Sequence, residues 1–240
     1  VGITVNPDCT VILDAPTVET GTGSNTCNVL GCAEALKFLG IGPSDIFWSS
    51  TVDTATSLKD CVQTDSAVSF LQSEVIAVAA LEVKQQILER AAKHLKMSPA
   101  ELEIDEGKVF LRKSPENTLS LKELFFQGDL VPIVVKHGKA PNSEKTGVPY
   151  FANFAEVEVD TGTGKVNVLK LVVINDCGTV MFASGAEGQQ AGGQVMGLGE
   201  ALTEEIIYDE ATGIPLNFNW IDYQVPTMAD MPDIDPILLE

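Results

Sequence analysis

The chain of 240 residues is long enough to bury a sizeable core, and its 45% hydrophobic content excludes a disordered or fibrous protein. It carries 34 acidic and 15 basic residues, and the resulting net charge of −19 disfavours nucleic acid and anionic membrane surfaces as partners. No apolar run reaches the roughly 18 residues that a membrane-spanning helix needs, so no membrane span is expected.

The first part of the chain alternates strand signals with helical periodicity, and Gly40 and Gly42-Pro43 punctuate it. The predicted elements, in chain order, are a strand at 11–13, a helix at 23–39, a strand at 46–48, a polar loop at 49–65, a long helix at 66–95, a capped helical turn from Ser98-Pro99-Ala100-Glu101, a hairpin at 102–111 and a short helix at 119–126.

The second part of the chain carries the clearest β pattern. Two alternating runs, 151–159 and 166–174, flank the turn Asp160-Thr161-Gly162-Thr163-Gly164 and predict a hairpin. A glycine-rich helix at 184–204, a second hairpin at 209–213 and a strand at 234–239 follow. This mixture predicts a mixed α/β fold: a layered sheet with long helices and antiparallel hairpins. Because the chain opens at Val1 without a methionine and ends directly after a strand-like segment, we expect one incomplete domain over 1–240, either a piece of a larger polypeptide or a trimmed chain.

A glycine turn precedes the first predicted helix. Gly21 and Gly23 are followed at once by Ser24, Asn25 and Thr26. A turn of this kind leaves unpaired backbone N–H groups at the helix N-terminus, where they can bind an anion. A phosphate or a phosphate-bearing cofactor is the expected ligand. The alternative is a plain helix entry that Ser24 or Asn25 caps. The turn is neither a Walker loop nor a G-x-G-x-x-G motif.

The numbers of cysteines and histidines limit which metal sites the chain could form. The chain has five cysteines and two histidines, and Cys27 and Cys32 match no common zinc spacing. A His-rich metal centre is therefore excluded, and no side chain is predicted to ligate a metal. We expect reduced, partly buried cysteines in a cytoplasmic protein.

Three segments together resemble the molybdenum-cofactor-binding domain of the xanthine dehydrogenase/aldehyde oxidoreductase family. Glu19-Thr20-Gly21-Thr22-Gly23-Ser24-Asn25-Thr26 is similar to the family's E-x-G-[QT]-G-x-x-T turn. The segment 50–73 matches a second family motif more loosely. Asn175-Asp176-Cys177-Gly178 and the run 187–202, with Glu187-Gly188-Gln189 at its start, are similar to a third.

The resemblance implies a molybdenum–pyranopterin cofactor, as molybdopterin or its dinucleotide form, within a molybdopterin-binding fold. The implied cofactor contacts are Gly21, Thr22, Gly23, Ser24, Asn25 and Thr26 for the pterin and its phosphate or nucleotide tail, Gln63, Thr64, Asp65, Ser66 and Ala67 along the same cavity, and Gly188 and Gln189 toward the molybdenum.

Departures from the family pattern put the substrate in doubt. Ala67 stands where many relatives have Arg, Asp65 stands where a small neutral residue is common, and Met181-Phe182 replaces Asn-Pro. Glu200 lies within a helix and is predicted to be a solvated or packing residue. The family's general-base glutamate is therefore expected beyond Glu240, and no catalytic residue is predicted within this chain.

The implied activity is hydroxylation of an N-heterocycle, xanthine- or nicotinate-like, or of an aldehyde, with oxygen from water. Iron–sulfur [2Fe–2S] and flavin (FAD) partner domains or subunits would carry the electrons in a multi-subunit or dimeric complex. The alternative is a non-catalytic pterin-binding or assembly subunit of such a complex. A third hypothesis, an unrelated nucleotide-binding domain, rests on the glycine turn alone.

Overall fold

The computed structural model describes residues 1–49, 53, 55, 67–128, 130–138 and 148–239. Contacts divide the chain into two compact units, Val1–Thr146 and Gly147–Glu240. The prediction of a single incomplete domain stays a prediction beside this division.

The first unit contains seven strands and three α-helices among its described residues. In chain order they are β1 (Gly2–Val5), β2 (Val11–Asp14), α1 (Ser24–Ala35), β3 (Ile46–Trp48), α2 (Ala67–Leu95), β4 (Leu102–Asp105), β5 (Lys108–Leu111), β6 (Ser114–Ser120), α3 (Leu121–Gln127) and β7 (Ile133–Lys136).

A four-stranded sheet, in the order β3-β2-β1-β7, forms one side of the first unit's core. Strand β1 pairs antiparallel with both β2 and β7, whereas β2 and β3 run parallel. Helix α2 contributes a fully buried stripe, since Ile76, Ala79, Val83 and Ile87 recur at helical spacing and are each 0% exposed. Burying an isoleucine of this kind contributes about 1.5–3 kcal/mol.

The first predicted helix ends earlier than its apolar pattern suggests. Helix α1 stops at Ala35, and a 3-10 turn, Lys37–Leu39, continues to Gly40, whose φ of 68° is left-handed. A Cβ on Gly40 would lie 2.9 Å from the backbone carbon of Glu106, so glycine fits both the conformation and the close approach.

A second, three-stranded sheet in the order β4-β5-β6 follows α2. The predicted capping box is present, since the backbone N–H of Ser98 donates to Glu101 at 3.2 Å and a 3-10 turn, Pro99–Glu101, begins there. A second capping box starts α3, where the Ser120 hydroxyl accepts from the backbone N–H of Glu123.

The second unit contains β8 (Tyr150–Val159), β9 (Val166–Asp176), α4 (Ala183–Leu202) and β10 (Asp233–Leu239). The sheet order is β10-β9-β8, with β8 antiparallel and β10 parallel to β9. The turn between β8 and β9 closes as predicted, because the N–H of Gly164 donates to the Asp160 carbonyl at 2.7 Å. The predicted hairpin at 209–213 is a turn closed by one isolated bridge, Tyr208 to Pro215.

The mixed α/β fold and most of the predicted elements are confirmed. Strands β1, β6 and β7 were not predicted, and β6 has Pro115, Glu116 and Asn117 in its middle, residue types that are depleted in strands. The predicted polar loop at 49–65 and the start of the long helix at Ser66 lie largely outside the described residues. In the described part of the chain, no helix is long and apolar enough to cross a membrane.

Candidate functional site

The glycine turn before α1 has the backbone that its two glycines permit. Gly21 and Gly23 have φ values of 93° and 79°, in the left-handed region that side chains other than glycine rarely adopt. Gly23 is the N-cap residue of α1, and as a glycine it has no side chain that could accept a hydrogen bond from the helix N-terminus. The alternative that Ser24 or Asn25 is the cap residue is therefore wrong.

The carboxylate of Glu19 occupies the position that a cap residue would fill. Its Oε1 accepts from the backbone N–H groups of Gly21 and Gly23, each at 2.9 Å, and its Oε2 accepts from the N–H of Asn25 at 3.0 Å. The Ser24 hydroxyl adds a longer contact of 3.4 Å. One carboxylate thus satisfies donors on both the turn and the helix.

These contacts affect the protonation of Glu19. Partial burial raises the pKa of this carboxyl, but the N–H donors of Asn25, Gly23 and Gly21 together outweigh that influence, and the pKa lies below the usual value. Glu19 is therefore ionised at neutral pH and places a negative charge at the N-terminus of α1, where the helix dipole favours one.

A cluster of buried polar residues lies next to the turn, with one member before the turn and two on α1. Thr17, Ser24 and Asn28 are 3%, 4% and 1% exposed, and the Asn28 side-chain amide donates to the Thr17 hydroxyl at 3.2 Å. The side-chain oxygens of Asn25 and Asn28 are buried, and neither accepts a hydrogen bond from any described residue. Such atoms are costly to leave unpaired and are candidates for contact with a ligand.

The second predicted group, 63–67, is mostly not described. Gln63, Thr64, Asp65 and Ser66 lie outside the described residues, and Ala67 is the partly buried first residue of α2. Their roles in cofactor binding stay predictions.

Of the third predicted group, Gln189 lines a cavity of about 390 Å³ within the second unit, whereas Gly188 is not among the lining residues. Helix α4 forms one wall and the strands β8 and β9 form the other. The lining is neutral and rich in amides: Phe151, Asn153, Val173, Asn175, Cys177, Ala186, Gln189, Gln190, Gly193 and Gln194. No charged side chain lines this cavity, which suits an uncharged polar ring better than a phosphate.

Several polar atoms of the cavity wall have no partner among the described residues. Both amide atoms of Gln190 and the side-chain oxygen of Asn175 are buried and unpaired, whereas Gln194 donates to Asn153 at 3.3 Å. Unpaired donors and acceptors of this kind match the ring edge of a pterin, which carries N–H donors beside carbonyl and ring-nitrogen acceptors. The residues present therefore fit such a group.

Glycines leave room along α4. A Cβ placed on Gly188, Gly192 or Gly193 would have no other atom within 4 Å in the structure. Gln189 follows Gly188, is exposed and lines the cavity, so the structure brings Gln189 to a ligand-sized space. Gln190 was not among the predicted site residues, although its position beside Gln189 in a glycine-rich helix was a signal that could have included it.

Phe182, of the Met181-Phe182 pair that departs from the family pattern, packs at the start of α4. Phe182 is the N-cap residue of α4, and a Cβ on Gly185 would clash with its ring, so the ring packs directly on this glycine. Glu200 is exposed on α4, in agreement with the predicted solvated role. The neighbouring Glu204 instead accepts from the Tyr223 hydroxyl at 2.8 Å.

The described cysteines have no partners that suggest metal binding. Cys9, Cys27, Cys32 and Cys177 are free thiols, and burial raises the pKa of Cys32 to about 12, which leaves it protonated. Within the described ranges, no three His, Cys, Asp or Glu side chains are grouped to hold a metal ion.

Comparison with known proteins identifies relatives along almost the whole chain. Residues 1–232 match the family model of the molybdopterin cofactor-binding domain. The chain is 32% identical to the xanthine dehydrogenase molybdenum-binding subunit of Escherichia coli O157:H7, over 98% of this chain and 32% of that protein. It is 28% identical to the nicotine 6-hydroxylase large subunit of Paenarthrobacter nicotinovorans, over 79% of this chain and 24% of that protein.

A solved structure agrees with these sequence matches. Reconstituted CO dehydrogenase from Oligotropha carboxidovorans superposes with a TM-score of 0.81 at 26% identity, and the match covers 99% of this chain and 30% of that chain. The present chain thus spans about a third or less of the length of the relatives it matches.

Proposed function

Because the chain belongs to the molybdopterin cofactor-binding domain family, we propose that it forms part of the molybdenum-binding subunit of an oxidoreductase that hydroxylates a small molecule. The observation that carries this proposal is the neutral, amide-lined cavity beside Gln189, which lies within the residues that match the family. Its unpaired amide atoms and its lack of charge suit a pterin ring.

Binding and orientation are the roles of this chain's own residues. The turn from Gly21 to Thr26 and the segment Gln63 to Ala67 would line the cofactor, while Gly188 would let the backbone approach closely and the Gln189 amide would offer an N–H donor on the molybdenum side. The bound cofactor supplies the redox chemistry by which oxygen from water enters a C–H bond. The neutral side chains would orient it and keep competing charges away.

The substrate and the partners follow from the relatives' names and from the family resemblance. Relatives named for xanthine and nicotine favour an N-heterocycle as substrate, with an aldehyde as the second choice. Electrons would leave through [2Fe–2S] and flavin groups on partner domains or subunits. We place the complex in the cytoplasm and assign the general base to a glutamate outside this chain.

The proposal is tested by the molybdenum content of the native complex isolated through this chain, measured by elemental mass spectrometry. About one molybdenum per copy is expected for a cofactor-binding subunit. An intact complex without molybdenum would overturn the proposal. A complex that contains molybdenum but oxidises neither N-heterocycles nor aldehydes would instead support the non-catalytic pterin-binding subunit.

A matched pair of variants separates the cavity from general stability. Gln189→Ala removes an amide at the cavity wall, and Gln85→Ala removes an exposed amide from α2, where it donates to Glu89 at 2.8 Å. We expect less molybdenum per copy in Gln189→Ala and wild-type content in Gln85→Ala. Equal molybdenum contents in the two variants would remove Gln189 from the cofactor site.

A further inference from the structure

Resting on the proposed function, we infer that Glu19 is a positioning residue that supplies the anion of the cofactor turn from within the chain. The turn would then hold the uncharged part of the cofactor and leave its phosphate to other residues. The sequence analysis instead assigned the turn to the pterin together with its phosphate or nucleotide tail, because a glycine turn at a helix N-terminus often offers its N–H groups to a ligand phosphate.

The donors of the turn decide this assignment. Gly21, Gly23 and Asn25 offer three of the backbone N–H groups of the turn, and all three donate to the Glu19 carboxylate within 3.0 Å. A ligand phosphate would have to displace this carboxylate or lie beside it. Both cost free energy, since the first breaks charge-assisted hydrogen bonds and the second brings like charges together.

The same contacts shape the turn. Both glycines are held at positive φ, and Glu19 reaches from before the turn to the first residues of α1, so a single side chain links the two. Glu19 therefore fixes the direction in which the intervening Thr22 faces. Thr22 is exposed, and neither its backbone N–H nor its hydroxyl bonds to a described residue.

A second observation at this place points to a polar, uncharged ligand. Asn28 is 1% exposed, yet its side-chain oxygen meets no donor in the described part of the chain, and the same holds for the oxygen of Asn25. These oxygens accept hydrogen bonds and so call for donors, which an uncharged polar part of the cofactor carries and an ionised phosphate does not.

The test measures anion binding at the turn with inorganic pyrophosphate as the probe. The full 240-residue chain, labelled with ¹⁵N, is titrated while the backbone amide signals of Gly21 and Gly23 are followed. Wild type is expected to bind pyrophosphate weakly there. Glu19→Ala, which frees the donors and removes the charge, is expected to bind it at least about fivefold more tightly.

Two further variants keep the test decisive. Glu34→Gln removes a carboxylate from an exposed position on α1, where its partner is Lys37, and is expected to behave as wild type. Glu19→Gln keeps an acceptor in place without the charge, and we expect an affinity between those of wild type and Glu19→Ala. This variant also decides the outcome if Glu19→Ala loses the turn structure.

Tight pyrophosphate binding by wild type with shifts at Gly21 and Gly23, abolished in Glu19→Ala, would overturn the inference. So would equal affinities in Glu19→Gln and Glu34→Gln. Because the titration needs no molybdenum, its result is separate from the proposed function, which fails only if the native complex lacks the metal.

Discussion

The tetrapeptide Thr-Gly-Thr-Gly occurs twice, at 20–23 and at 161–164, with an acidic residue immediately before each copy. Both carboxylates accept from the backbone N–H two residues later, Glu19 from Gly21 at 2.9 Å and Asp160 from Gly162 at 2.8 Å. The first copy nevertheless leads into a helix, whereas the second closes a hairpin.

The two acidic side chains differ in how far they reach. Asp160 stays within its own turn, where its remaining contacts go to the N–H and hydroxyl of Thr163. Glu19 is one methylene longer and reaches Asn25 on α1. The same four residues are thus a strand connection in one place and the entrance to a predicted cofactor site in the other, and only the first copy has buried, unpaired amide oxygens beside it.

The largest expected effect comes from a glycine exchange made in both copies. Gly21 and Gly164 have φ values of 93° and 77°, and a Cβ on either would meet nothing within 4 Å, so Gly21→Ala and Gly164→Ala impose similar backbone strain of about 1–2 kcal/mol. We expect the molybdenum content of the native complex to fall by at least about half in Gly21→Ala, because strain at the proposed cofactor contact would also weaken binding by tenfold per 1.4 kcal/mol. Gly164→Ala should keep its molybdenum.

Thermal unfolding of both variants provides the control for that comparison. Similar losses of stability with different molybdenum contents would assign a binding role to the first copy alone. Equal molybdenum contents at equal stability would show that the two copies are both plain turns.

A smaller effect is expected when the acidic residues are exchanged. Glu19→Gln weakens contacts that join the turn to α1, so amide hydrogen exchange should become faster at Gly23 and Asn25, by about tenfold or less. Asp160→Asn should change exchange only at Gly162 and Thr163, since its contacts end there. Faster exchange along β8 and β9 in Asp160→Asn would contradict this local role.

The fold was largely predictable, whereas the contacts of the site were not. Periodicity identified α2 and α4, and the alternation of 151–159 and 166–174 identified β8 and β9, because these signals are local to each element. Glu19 was noted only as the first letter of a family motif. Its role depends on the backbone conformations of Gly21 and Gly23, which direct three N–H groups toward one carboxylate. That geometry cannot be recognised from a residue pattern.

The cavity of the second unit shows a similar limit of sequence reasoning. Gln189 was predicted from the family pattern, but the unpaired state of Gln190 and Asn175 depends on how α4 packs against β8 and β9. Contacts between segments distant in the sequence decide which amides form hydrogen bonds. No local residue pattern predicts such contacts.

The pKa values of Glu19 and Asp160 should also lie below those of free side chains. Hydrogen bonds from Thr163 and the turn N–H groups lower the pKa of Asp160, and the pKa of Glu19 is lowered by its N–H donors in spite of burial. Both carboxylates therefore contribute stability above their unfolded pKa values, and this contribution is lost as the pH falls through the folded values. The amide proton shifts of Gly21 and Gly162, followed against pH, should show midpoints below the ordinary values of 4.5 and 3.8. A midpoint above 4.5 at Gly21 would mean that the carboxylate of Glu19 is not held by these donors.

The smallest effect is expected from the threonine hydroxyls. The Thr163 hydroxyl donates to Asp160 at 2.8 Å, whereas the Thr22 hydroxyl bonds to none of the described residues. Thr163→Val should therefore lower stability by about 0.5 kcal/mol, a fall of roughly 1–2 °C in Tm. Thr22→Val should leave Tm unchanged in the chain without cofactor, because no intramolecular bond is lost, and should lower the molybdenum content of the complex if Thr22 faces the cofactor. A drop in Tm for Thr22→Val as large as that for Thr163→Val would show that both hydroxyls serve only the fold.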